Sequence, residues 1–168
     1  MKKRTILLLV FPMLLLGASN AAAQFRIGPH VAWGDDFDLA IGASATVNLG
    51  TNLVRNTGPL HGALSFDYFV DCEGCTYFEV SPGLYIPFTV RSIGPFAGIG
   101  LNVRRFSSDL QIPGVADSDT DLGVALFGGL QFPIGSQMAM ADARIALGGS
   151  GQLVITLAWL FGGGADLN

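Results

Sequence analysis

The sequence predicts an all-β protein, an eight-stranded antiparallel up-and-down transmembrane β-barrel, on three observations. Apolar residues recur at every second position in segment after segment, which is the period of a strand with one greasy face. The long apolar stretch at residues 6–16 has no counterpart later in the chain. A chain that crosses hydrocarbon must satisfy its backbone hydrogen bonds internally, so in the absence of a second apolar helix the closed barrel matches this pattern. Beyond residue 23 the chain contains no lysine, whereas soluble antiparallel sheets place long charged side chains on their solvent face and edges.

The first 23 residues read as a secretory signal peptide. Lys2, Lys3 and Arg4 precede Ile6 to Leu16, and Ala21, Ala22 and Ala23 offer small residues at a cleavage site. The apolar stretch is shorter than the roughly 20 residues that a retained helix needs, so cleavage is expected after Ala23. Position 24 is Gln, and a lipoprotein anchor has no cysteine to acylate there. Residues 24–168 then form one outer-membrane β-barrel domain of 145 residues, enough for a core but not for a wide lumen. This part keeps six arginines against thirteen acids, and so negative a chain does not attract nucleic acid. Glycine is frequent inside strand-like segments as well as in turns, which suits tight curvature and a crowded interior.

Taken in order, the segments are Phe25-Ile27-Val31-Trp33, the clean alternation of Leu39-Ile41-Ala43-Ala45-Val47-Leu49, Leu60-Leu64-Phe66-Tyr68-Val70, Phe78-Val80-Leu84-Ile86-Phe88, Ala97-Ile99-Leu101-Val103, Leu122-Val124-Leu126-Leu130-Phe132, Ala139-Ala141-Ala143-Ile145-Leu147 and Leu153-Ile155-Leu157-Trp159-Phe161. Eight is the smallest even number of strands that closes a membrane barrel. Pro29 and Pro82 fall inside two of these segments, where each removes a ladder hydrogen bond, so a late start or a bulge is expected at both. With the N-terminus on the periplasmic side, residues 34–37, 71–76, 107–119 and 148–151 face outward, and Asp35, Asp36, Asp71, Glu73, Asp109, Asp117 and Asp119 make that rim acidic.

The signal ending Ala21-Ala22-Ala23, the eight alternating segments and a final Leu157-Ala158-Trp159-Leu160-Phe161 strand resemble the small eight-stranded OmpA-like and OmpX-like outer-membrane barrels. The resemblance is one of pattern and covers the whole chain after residue 23. It implies a Gram-negative-type outer membrane as location, outer-membrane lipids as surroundings, and periplasmic chaperones and the barrel-assembly machinery as partners during biogenesis, with Phe161 as the terminal aromatic. Gly162 to Asn168 extend beyond that aromatic, a departure from the family pattern.

If the greasy parity faces lipid, the opposite parity puts Arg26, His30, His61, Asp67, Glu79, Arg104, Asp121, Asp142 and Arg144 in the barrel interior. Three arginines against four acids in a narrow bore predict a salt-bridged plug instead of an open channel, because buried charge is costly unless paired. Cys72 and Cys75 at an outer loop tip, in an oxidising compartment, predict a local disulfide. They lack the further ligands of a zinc site, and no metal or other cofactor is expected. Asp117-Ser118-Asp119-Thr120-Asp121 has the alternating carboxylates of a calcium loop, but Leu122 stands where that loop needs glycine and no glutamate closes it. For hydrolysis the candidates are His61 and Ser65 on one strand and Glu79 on the next. They share the interior and lie away from any external lipid, so no catalytic residue and no enzyme is expected. The expected role is structural or surface-interacting, as a monomer. A small porin-like pore is the alternative, and a lipid-modifying enzyme is less favoured.

Overall fold

Residues 25–35, 39–51, 57–70, 75–88, 93–108, 118–148 and 151–162 are described by a computed structural model. The signal reading of residues 1–23 and the tail beyond Gly162 lie outside these residues, as does Cys72, the expected partner of Cys75. The strands are β1 (Phe25–Gly34), β2 (Leu39–Asn48), β3 (His61–Phe69), β4 (Cys75–Pro87), β5 (Gly94–Ser108), β6 (Ser118–Ile134), β7 (Gln137–Leu147) and β8 (Gln152–Leu160). Each pairs antiparallel with its neighbour in sequence, and β1 pairs with β8 to close the barrel. Below, the lower end is the one that carries Phe25 and Phe161.

All eight predicted segments form strands, but β5 and β6 run further than their apolar alternation. The ladder between them continues through Arg104↔Asp121 and Phe106↔Asp119 to Ser107↔Ser118. β6 meets β7 only from Val124↔Leu147 downward, so the hairpin rises above the wall on its β7 side, while β4 accompanies β5 up to Cys75↔Ser108. Apolar alternation ends where the wall ends, while backbone pairing carries on in polar residues. Ser118 and Asp119, which the sequence assigns to an outward-facing loop, are therefore part of a strand.

Neither proline starts its strand late or makes a bulge. Pro29 keeps its place opposite Ala43 of β2, and the register to β8 is the same above it (His30↔Ala158) as below it (Ile27↔Phe161). Ile27 N–H donates to the Phe161 carbonyl (3.0 Å), so by alternation the missing N–H of Pro29 faces β8 at Trp159. The Trp159 carbonyl lies so close to Gly28 that a Cβ there would collide with it. The two residues act together: proline withholds the donor, and glycine accepts the carbonyl that lacks it. On β4 the register to β5 is likewise unchanged between Val80↔Val103 and Gly83↔Gly100 across Pro82, and there the proline's own carbonyl occupies the space that a Cβ on Gly100 would need.

The greasy parity covers the outside. Trp33, Ile41, Phe66, Leu84, Ile99, Leu122, Ile145, Leu157 and others are exposed there. The inward parity is not polar throughout, and the charged positions share the bore with large apolar side chains. Ala32, Ala40, Phe69, Tyr77 and Val154, with Phe106 against them, form an upper apolar cluster. Tyr85, Phe96, Met138, Met140, Ala158 and Leu160 form a lower one, packed against Ala63 and Phe127. Between the two lies a polar layer.

Candidate functional site

The polar layer is built from inward positions of strands on opposite sides of the bore. Asp67 of β3 and Glu79 of β4 are direct partners in register, which places two carboxylates side by side. Arg144, on β7 across the barrel, reaches both. Its Nη2 donates to Asp67 Oδ2 (2.9 Å) and to Glu79 Oε2 (3.1 Å), and its Nη1 donates to Ser65 Oγ (2.8 Å). Asp67, Glu79 and Arg144 are 0%, 1% and 4% exposed, so these are charge-assisted bonds in a dry setting.

Further side chains complete both carboxylates. His30 Nε2 is 2.8 Å from Asp67 Oδ1, and its Nδ1 is 2.6 Å from Ser44 Oγ. The Tyr77 hydroxyl shares its proton between Glu79 Oε1 (2.6 Å) and Gln152 Oε1 (3.0 Å). Asn102 Nδ2 donates to Glu79 Oε2 and to Ser81 Oγ, each at 2.9 Å. Below this layer a cavity of about 50 Å³ is lined by Ser44, Ser65, Ser81, Tyr85, Arg144 and Thr156, among others.

Of the seven charged residues expected in the interior, three meet: Asp67, Glu79 and Arg144. Asp142, two positions before Arg144, is half-buried, borders the cavity and interacts electrostatically with Arg144. Arg104 is buried in the upper half, where its Nη2 donates to the Gly148 carbonyl (2.9 Å). Arg26 is half-buried at the lower end, opposite Thr46. Asp121 is not interior. It is exposed, because it sits on the part of β6 above its first β7 partner, where the wall no longer encloses the inward face. Sequence reasoning missed Ser44, Ser81, Asn102, Tyr77 and Gln152 as members of the network, although their inward parity beside the charged positions was readable.

The hydrolase candidates do not assemble. His61 stacks on Tyr85 (ring centroids 4.9 Å apart), Ser65 accepts from Arg144, and Glu79 is held by Arg144, Tyr77 and Asn102. A different hydroxyl, base and acid do come together as Ser44, His30 and Asp67. Asp67 is clamped by Arg144, however, and the 50 Å³ space beside Ser44 holds water but no ester substrate.

Neither a protein-family model nor a curated relative matches the sequence. Solved structures do. The N-terminal β-barrel domain of OprF from Pseudomonas aeruginosa superimposes with a TM-score of 0.64 at 15% identity, over 84% of this chain and 98% of that one. The fold is that of the small eight-stranded outer-membrane barrels. The outer membrane enzyme PagL (TM-score 0.54, 17% identity, 81% of this chain and 98% of that one) shares it. So does Ail, the attachment invasion locus protein of Yersinia pestis (0.53, 17%, 82% and 93%). Within this outer-membrane barrel fold the clamp of Asp67, Glu79 and Arg144 is the most connected polar feature among the described residues.

Proposed function

We propose that the chain is an outer-membrane β-barrel with a structural or surface-interaction role, exported by its N-terminal signal, embedded as a monomer among outer-membrane lipids, and closed to solutes by its own side chains. The observation that carries this reading is the Arg144 clamp on Asp67 and Glu79, seated between two apolar clusters. A hydrated ion entering the bore would have to displace aromatic rings at both ends and break a buried charge pair in the middle. The apolar outer wall supports the membrane location, and the lack of substrate space beside Ser44 supports a non-enzymatic role.

The test is electrical. Protein refolded without residues 1–23, with its folded state checked by heat-modifiable migration on a gel, is added to planar bilayers in potassium chloride. Silent bilayers are expected. A steady conductance that changes in Glu79→Gln or Arg104→Ala would overturn the plugged reading in favour of a pore.

A further inference from the structure

The outer wall carries one charge. Of the side chains at outward positions on the eight strands, Arg105 of β5 is the only charged one among the described residues. It is exposed, and no described residue pairs with it. Register sets its surroundings. Two residues below it, Val80, Val103 and Leu122 form an apolar row across β4, β5 and β6. At its own height lie Phe78 and Thr120, and two residues above it Thr76, Ser107 and Ser118 form a row of side chains with hydroxyls. Each step is about 7 Å along the strand, so the face turns from hydrocarbon to hydroxyl at the level of Arg105, as a wall does where it leaves acyl chains for headgroups. Tyr68, in register with Phe78, and Phe66, whose ring centroid is 6.0 Å from that of Phe78, continue this level as an aromatic band.

We propose that this face of β4, β5 and β6 docks the anionic phosphate headgroup of an outer-leaflet lipid. Arg105 holds the phosphate, Thr120 and the hydroxyls above it donate to the remaining oxygens, and the acyl chains lie against Val80, Val103 and Leu122. Leu122 is 68% exposed, more than any other large apolar side chain among the described residues, and it stands directly below Thr120. The inference rests on the membrane location proposed above, with the upper end outward.

The protein's own acids at this height do not balance Arg105. Asp119 and Asp121 flank Thr120 in the chain, but successive side chains of a strand point to opposite faces, so both stand on the other side of the sheet. There Asp119 accepts the Thr120 N–H (2.8 Å), and Asp121 is the register partner of Arg104. The raised sheet thus separates the signs, with acid on its inner face and a lone cation on its outer one. A cation at the edge of hydrocarbon is stabilised by reaching water or an anion. The planar guanidinium fits two phosphate oxygens at once, and the hydroxyls of Thr76, Ser118 and Thr120, which bond to no described residue, are free to meet a third. A zwitterionic headgroup fits less well, because its own ammonium already balances the phosphate and is repelled by Arg105.

The test uses one tryptophan beside the site. Protein without residues 1–23, carrying Phe78→Trp with Trp33→Phe and Trp159→Phe, is refolded into phosphatidylcholine vesicles and its folded state checked by heat-modifiable migration. Quenching by a small fraction of phosphatidic acid brominated on its acyl chains is compared with quenching by the same fraction of brominated phosphatidylcholine. Phosphatidic acid should be preferred beside position 78 by about fivefold, the attraction that one arginine exerts on anionic lipid, and Arg105→Gln in the same background should remove the preference. Protein that keeps only Trp159, at the lower end of the wall, should show no preference. Equal quenching by the two lipids at position 78, a preference that survives in folded Arg105→Gln, or the same preference at Trp159 would overturn the proposal and leave the membrane location standing. A position-78 tryptophan that neither brominated lipid quenches would overturn both.

Discussion

Arg144 is the single side chain on which the interior depends most. Inward parity in the sequence marks Asp67, Glu79 and Arg144 as interior, but which charges meet was not legible there. The Asp67–Glu79 pairing needs the β3–β4 register, and the reach of Arg144 needs β7 brought opposite β3 and β4 by barrel closure. The same gap explains the misplaced Asp121, whose parity is inward but whose height on β6 exceeds that of the wall beside it. Arg144→Ala leaves two buried carboxylates without their cation, and loss of one partner from a buried pair typically costs about 3–5 kcal/mol. That loss should appear as a lower urea midpoint for the heat-modifiable form in detergent micelles. Arg105→Ala, at an exposed position, should leave the midpoint near that of the parent protein.

Between strands, the β1–β8 seam is the most specialised. Pro29 offers no donor to Trp159, and the Trp159 carbonyl occupies the space that a side chain on Gly28 would need. Gly28→Ala should therefore destabilise the barrel by about 1–3 kcal/mol through overpacking against backbone. Pro29→Ala restores an N–H facing that carbonyl, so the double variant should be more stable than the sum of the two single changes implies. Equilibrium unfolding of the three variants checks this, and strict additivity would break the proposed coupling. Strand existence was legible throughout, because alternation survives in every segment. Strand length was less so in β5 and β6, where Arg104, Arg105, Ser107 and Ser118 end the apolar pattern although the ladder goes on. The prolines misled for a related reason: each affects one side of its strand only, and sequence does not say which side.

On the scale of the whole molecule, the outer wall and the filling were unequally readable. Alternation identifies the greasy face directly, but the aromatic residues Phe69, Tyr77, Tyr85, Phe96 and Phe127 lie on the other parity and pass for irregularities until two layers of them meet in the bore. The only two tryptophans, Trp33 and Trp159, both project from the outer wall, at its upper and lower ends, and Trp159 is tethered by its Nε1–H to Gln137 Oε1 (2.6 Å). In bilayers of lipids brominated along the acyl chain, most of the folded protein's tryptophan emission should be quenched. Unquenched emission would mean that hydrocarbon does not cover this wall. The Gly28–Pro29 seam has a bearing on how such a ring comes to exist. Seven of its eight joints are between strands adjacent in the chain, and each can form as the next strand arrives, whereas the eighth waits until both ends are present. The clasp lacks a rung, and its continuous ladder, from His30↔Ala158 to Gly34↔Val154, is shorter than that of any other joint, so the ring is weakest at the joint where it must be made.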